Sequence, residues 1–327
     1  MSNETGQSPG GTGPNPTPVW AQNVLEKLAL EGIQEQRRAR RWGIFFKSLT
    51  FILLFLLVFM ILGLLGKKEP AAAARHTALV ELHGVIDTDG KASADKVISG
   101  LQEAFKDTKT QGIVLRINSP GGSPVQSGRI NDEIRRLRKL HPTVPVYVVV
   151  EDICASGGYY VAVAADKIFV DKASLIGSVG VLMDGFGFTG AMEKFGVERR
   201  LLAAGENKGF LDPFSPLNQS QKEYAQKMLA EIHQQFISVV REGRGKRLKE
   251  TPDMFSGLVW TGEKSVELGL ADGYGSLQQV ARDVIKAEEI IDFTAEDNLA
   301  EKVARRLGAA GADAMAKALV GKEAAFR

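Results

Sequence analysis

Residues 48–66, SLTFILLFLLVFMILGLLG, run for 19 positions without a charge, whereas past residue 78 apolar positions come in short runs broken by helical patterns. A helix rising about 1.5 Å per residue would nearly cross a ~30 Å hydrocarbon layer over that stretch. The run is longer than the apolar region of a cleaved leader, and its own leader is too long, so despite AAAA at 71–74 it reads as an uncleaved anchor. Arg37, Arg38, Arg40, Arg41 and Lys47 precede it, and Lys67, Lys68 and Arg75 follow. The basic excess lies on the N-terminal side, which places the N-terminus in the cytoplasm and the larger C-terminal part outside it. Trp42 and Lys47 fall at the interface.

Past the linker, β-branched runs at 78–86, 112–117, 144–150, 167–170 and 178–183 read as strands. Between them Val97, Ile98, Leu101, Ala104 and Phe105 mark one apolar helix face, and Ile130, Ile134 and Leu137 mark another. Alternation of this kind predicts an α/β domain with a parallel sheet. A long helix is expected over 217–242, with two more at 265–268 and 277–285. The expected organisation is therefore a disordered and short-helical segment at 1–41, an anchor at 42–66, a linker at 67–77, a catalytic domain at 78–292 and a helical tail at 293–327.

Composition narrows the chemistry. A net charge of +2 with 24% charged residues gives no global field for nucleic acid. One cysteine, Cys154, permits no intrachain disulfide, and the four histidines (His76, His83, His141, His233) lack metal-ligand spacing. No metal or cofactor is expected, and Cys154 reads as a small buried filler.

Two glycine-rich loops follow strands and lead into helices. In RINSPGGS (116–123) the glycine turn can leave backbone N–H groups aimed at one point, suiting an oxyanion, although strand-to-helix turns also need glycine for geometry alone. In CASGGYY (154–160), Ser156 sits at a sharp helix entry, where a serine serves equally as nucleophile or N-cap. Activation of a serine needs a base. The histidines are poorly placed, and a lysine can act if burial lowers its affinity for protons. Lys208, in AAGENKGFLDPFSP, has the glycine-rich and apolar neighbours this requires.

In this order, RINSPGG, CASGGYYVAVAADKIF and GENKGF resemble the signal peptide peptidase A family of membrane-anchored Ser-Lys proteases, over residues 78–291 and the anchor before them. The resemblance implies a Clp protease/crotonase-like fold of repeated ββα layers behind one transmembrane helix. It implies Ser156 as nucleophile, Lys208 as general base and Ser178 as the serine holding the lysine amine. Backbone N–H groups of Gly122, Gly121 and Gly157 would form the oxyanion hole. It further implies a bacterial inner-membrane location, signal-peptide remnants and other apolar peptides as substrates, and a homo-oligomeric ring or dome whose sites draw Ser and Lys from neighbouring chains. A crotonase-like acyl-CoA enzyme and an unreactive ring-forming scaffold are the competing readings.

Overall fold

The computed structural model describes residues 19–65 and 75–295. The chain divides after Ala72 into two compact units. The expectations for residues 1–18, for most of the linker and for the tail beyond 295 lie outside the described residues.

In the first unit a single helix, α1 (Val19–Leu65), runs unbroken for 47 residues, joining the short helical segment and the apolar span that the sequence pattern separates. Within it the stretch Glu35–Phe59, of mean hydropathy 2.2, is long and apolar enough to cross a membrane. The rings of Trp42, Phe45 and Phe46 pack on one another at its basic end, Trp42 stacking on Phe46 at 5.6 Å.

The second unit is built from β1 (His76–His83), α2 (Ala94–Lys106), β2 (Thr110–Ser119), α3 (Pro124–Leu140), β3 (Val146–Ala155), α4 (Gly157–Ala162), β4 (Lys167–Val170) and β5 (Leu175–Gly177). It continues through α5 (Thr189–Lys194), α6 (Gln219–Arg244), β6 (Val259–Thr261), α7 (Gly262–Glu267), β7 (Gly273–Tyr274), α8 (Leu277–Gln279) with a π-helical turn at Val280–Ile285, and β8 (Ile290–Asp292). The sheet order is β6-β5-β3-β2-β1-β8, with β4 on the early part of β3 and β7 on β4. Pairing is parallel except between β5 and β6.

Alternate side chains of the central strands enter opposite cores, which is why these strands read as near-continuous apolar runs. Ala78, Val80 and Leu82 of β1, with Ile113, Leu115 and Ile117 of β2, join the larger core under α2, α3 and α4. Leu79, Val114 and Val149 face a smaller one closed by Leu277 and Val280. Apolar burial on both faces makes the centre of the sheet a rigid platform, and the strand ends carry the loops of interest.

Differences from the pattern-based elements have local causes. The run 178–183 is not a strand: β5 lies three residues earlier, and the chain leaves the sheet at Gly177 (φ +105°) and Ser178 (φ +51°). Val179 still enters the larger core, but Leu182, 80% exposed, and Met183 serve a surface instead of a sheet interior. β3 extends beyond the expected run, because after Val149 it exchanges β4 for β5 as its neighbour. The first strand starts at His76, ahead of the expected boundary. β6, β7 and β8 are too short, at two or three residues, to show a period.

One buried ion pair fixes α6 to the platform. Arg244, 1% exposed, donates to Asp272 Oδ2 at 2.8 Å and to the Gly269 carbonyl at 2.8 Å. Asp272 Oδ2 also accepts the Ile168 N–H at 2.8 Å. Burial works to raise the Asp272 pKa, but the Arg244 hydrogen bond and charge, with the Ile168 N–H and Arg247, hold it below the ordinary value.

Candidate active site

Both candidate serines stand at the carboxyl ends of adjacent parallel strands. Ala155 of β3 is in register with Gly177 of β5, so Ser156 and Ser178 are the next residues along two neighbouring strands. Each adopts φ +51°, a conformation costing ~1–3 kcal/mol for a side-chain-bearing residue, held only where the surroundings over-determine it. At Ser156 they do. Its N–H donates to the Gly177 carbonyl at 2.8 Å, and its carbonyl accepts the Tyr160 N–H at 2.9 Å as the first bond of α4. Ser178 is pinned likewise, its N–H donating to Leu258 O at 2.8 Å.

Of the two uses the sequence offers for Ser156, capping is not made in the structure. Its side chain makes no capping hydrogen bond to α4, although the residue occupies the N-cap position. The hydroxyl makes no hydrogen bond among the described residues, and Ser156 lines a cavity of about 610 Å³ together with Gly122, Gly157, Tyr160, Ser178, Val181, Leu182, Ile232 and Phe236. None of the residues lining that cavity carries a charge.

The PGG turn after β2 comes up against the same point. Ile86 donates to the Gly121 carbonyl at 2.8 Å and accepts the Ser123 N–H at 2.8 Å, an isolated parallel bridge centred on Gly122. In such a bridge the central residue's own N–H points away from the partner, here toward α4. Gly121 lies so close to Ser156 that a Cβ on it would meet Gly157 N at 2.6 Å and Ser156 Cβ at 2.7 Å. Its own N–H is already taken, donating to Ser119 Oγ at 3.1 Å. Gly157, as the first residue of α4, has an N–H with no partner inside the helix. Gly122 and Gly157 thus present two backbone N–H groups beside Ser156, while Gly121 supplies the close approach.

Lys208 is not brought to this cavity within one chain. It lies exposed in a turn at 205–212, its N–H bonded to Gly205 O at 3.1 Å, and its amine makes no hydrogen bond or ion pair among the described residues. The turn itself is fastened to α6: Leu211, at φ +51°, donates to Gln221 Oε1 at 3.1 Å, and the Phe210 ring meets Tyr224 edge-on at 5.9 Å. No histidine lines the cavity either. The Nε2 of His233 lies 3.1 Å from the Val179 carbonyl; that contact needs this nitrogen as donor, so Nε2 cannot also receive the serine proton. Cys154 is fully buried and burial pushes its thiol pKa up, which makes it the inert filler expected.

The sequence profile described as peptidase family S49 matches residues 138–290, a span holding Ser156, Ser178 and Lys208. A candidate protease of Methanocaldococcus jannaschii is 34% identical over 215 residues, covering 64% of this chain and 68% of that protein. This chain belongs to the S49 peptidase family. A candidate signal peptide peptidase SppA of Enterococcus faecium is 26% identical over 69% of this chain and 67% of its own length. A Brucella abortus protein named Na(+)/H(+) antiporter NhaA is 42% identical over 234 residues, and there the match covers 69% of this chain but only 32% of the relative. The chain thus spans about a third of that relative's length. Among solved structures, a ClpP1 variant from Listeria monocytogenes aligns over 62% of this chain and 92% of its own at a TM-score of 0.39 and 16% identity.

Proposed function

We propose that the protein is a membrane-anchored serine endopeptidase that cleaves apolar peptides, the remnants of signal peptides among them, with Ser156 as nucleophile and Lys208 of a neighbouring protomer as base. The observation that carries this reading is the unbonded Ser156 hydroxyl on a strained turn, flanked by the Gly122 and Gly157 N–H groups and facing an uncharged cavity. The Lys208 amine, acting as base, takes the Ser156 proton as Oγ attacks the scissile carbonyl. The two N–H groups receive the oxyanion, each worth about 3–4 kcal/mol of the barrier. Collapse expels the leaving amine, which carries off the proton from the lysine. Water, giving its proton to the Lys208 amine, then attacks the acyl carbon, and the lysine returns that proton to Ser156 Oγ as the acid leaves. In this scheme Ser178, which lines the same cavity, accepts a hydrogen bond from the amine entering it.

Sharing of the site between protomers is supported by the surface that carries the lysine. Leu182, Met183, Phe186, Phe195, Leu202 and Leu217 are all at least half exposed, on the segment between β5 and α6. So much apolar surface on one excursion is what a subunit interface covers. The apolar span of α1 supports anchoring, with the basic flank on the cytoplasmic side and the protease domain beyond the inner membrane.

Complementation tests the scheme. Full-length Ser156→Ala and Lys208→Ala proteins are each inactive, and mixing them as subunits regenerates about a quarter of wild-type peptidase activity if serine and lysine come from different chains with random association. No recovery on mixing, with recovery of wild-type subunits under the same exchange conditions, sinks the shared site. Full activity in Lys208→Ala alone sinks the dyad. A fluorophosphonate that labels wild type but not Ser156→Ala separates an enzyme from an unreactive scaffold.

A further inference from the structure

We propose that the Ser119 hydroxyl is a positioning residue for the oxyanion hole, setting the glycine turn so that the Gly122 N–H faces the acyl oxygen. The inference rests on Ser156 being the nucleophile and adds a residue that makes no contact with substrate.

Ser119 ends β2 and is 0% exposed. Its Oγ donates to the Gly84 carbonyl at 2.6 Å and accepts the Gly121 N–H at 3.1 Å. A hydroxyl has one proton, and committing it to Gly84 leaves the oxygen's lone pairs for Gly121, which fixes the direction of both bonds. The next peptide unit is held from its other side, because the Gly121 carbonyl accepts the Ile86 N–H at 2.8 Å. In a planar trans peptide the carbonyl and the following N–H point opposite ways, so a Gly121 carbonyl aimed at Ile86 aims the Gly122 N–H away from it. Gly121 and Gly122 stand at φ +102° and +147°, with no side chains to hinder rotation. Their orientation therefore depends on these two clamps.

Ser119 is also built into the nucleophile's own support. It is in register with Cys154 on β3, two residues before Ser156. A Cβ on Gly158 of α4 would lie 3.1 Å from the Ser119 carbonyl oxygen. One residue thus touches the strand leading to the nucleophile, the helix leaving it and the turn carrying the second oxyanion donor.

The test uses the full-length protein in detergent, with a fluorophosphonate probe, whose phosphoryl oxygen must enter the oxyanion hole, and an internally quenched apolar peptide. Ser119→Ala should lower the labelling rate and kcat about 10- to 100-fold while KM stays within about twofold. Ser119→Cys, with a weaker donor and acceptor, should fall between. Ser276→Ala removes the capping box at the start of α8, a bond set that touches nothing at the site, and serves as a destabilised control that should keep the wild-type rate. Wild-type labelling in Ser119→Ala, or a loss matched by Ser276→Ala at equal loss of Tm, overturns the proposal. Should Ser119→Ala fail to fold, wild-type kcat in Ser119→Cys overturns it. A wild-type protein that never labels refutes the nucleophile assignment instead, whatever Ser119 does.

Discussion

The N–H of Ser156 donates to the carbonyl of Gly177 at 2.8 Å, so the turn that carries Ser156 is tied to the turn that carries Ser178. The two serines hold the same unusual φ, and each leaves its strand at the same level of the sheet. Their spacing is therefore a property of the β3–β5 register, and it does not depend on either loop alone.

Gly177 should accordingly tolerate no side chain. At φ +105° an alanine is strained, and its Cβ would sit 2.9 Å from Trp260 Cδ1. We expect Gly177→Ala to cost about 1–3 kcal/mol and to slow phosphonate labelling of Ser156, read by thermal melting and labelling kinetics on the same samples.

Gly121→Ala should disturb both folding and chemistry, for at φ +102° its Cβ would lie 2.6 Å from Gly157 N, 2.7 Å from Ser156 Cβ and 2.8 Å from Ala155 O. The new Cβ would also fill the space that the proposed oxyanion enters. The expected result is a loss of kcat of about 10²-fold or more, the scale of losing an oxyanion donor. Near-normal kcat in a folded Gly121→Ala protein would show that the hole lies elsewhere.

The Arg244–Asp272 pair predicts an acid limb of stability. The folded pKa of Asp272 lies below its ordinary value of 3.8. Its contribution is therefore complete above that value and is lost as pH falls through the lower, folded pKa. Urea midpoints of wild type should hold down to the ordinary carboxylate range and then drop, and Asp272→Asn should be less stable at neutral pH with a shallower acid limb. Arg244→Ala leaves the buried carboxylate without its main partner and should cost about 3–5 kcal/mol.

Anchoring makes a prediction for fractionation. Full-length protein should stay with membranes through alkaline carbonate extraction, and a chain starting at residue 75 should partition into the soluble fraction. Release of the full-length chain by carbonate would contradict a spanning α1.

Much of the site was legible in the chain because its pieces are local. Glycines beside Ser156 and after Pro120 report turns that only small residues can make, and a charge-free run of nineteen residues states its own length against a bilayer. The alternating faces of β1, β2 and β4 could be read for the same reason, since a strand's period lies within the strand. Misreading 178–183 as a strand shows the limit: an apolar run has the same look whether it fills a sheet or lines a cavity and an open surface.

What the sequence determined by itself was an apolar span long enough to cross a membrane, the parallel α/β class and the residue types able to do acyl-transfer chemistry. Only the tertiary structure decided that Ser156 leaves its hydroxyl uncapped, that Gly122 and not Gly121 has an N–H to spare, and that Lys208 stays outside the cavity of its own chain. The first two depend on hydrogen bonds between segments far apart in the chain, such as Gly84 to Ser119 and Ser156 to Gly177, and no local pattern of side chains specifies where such a bond will close.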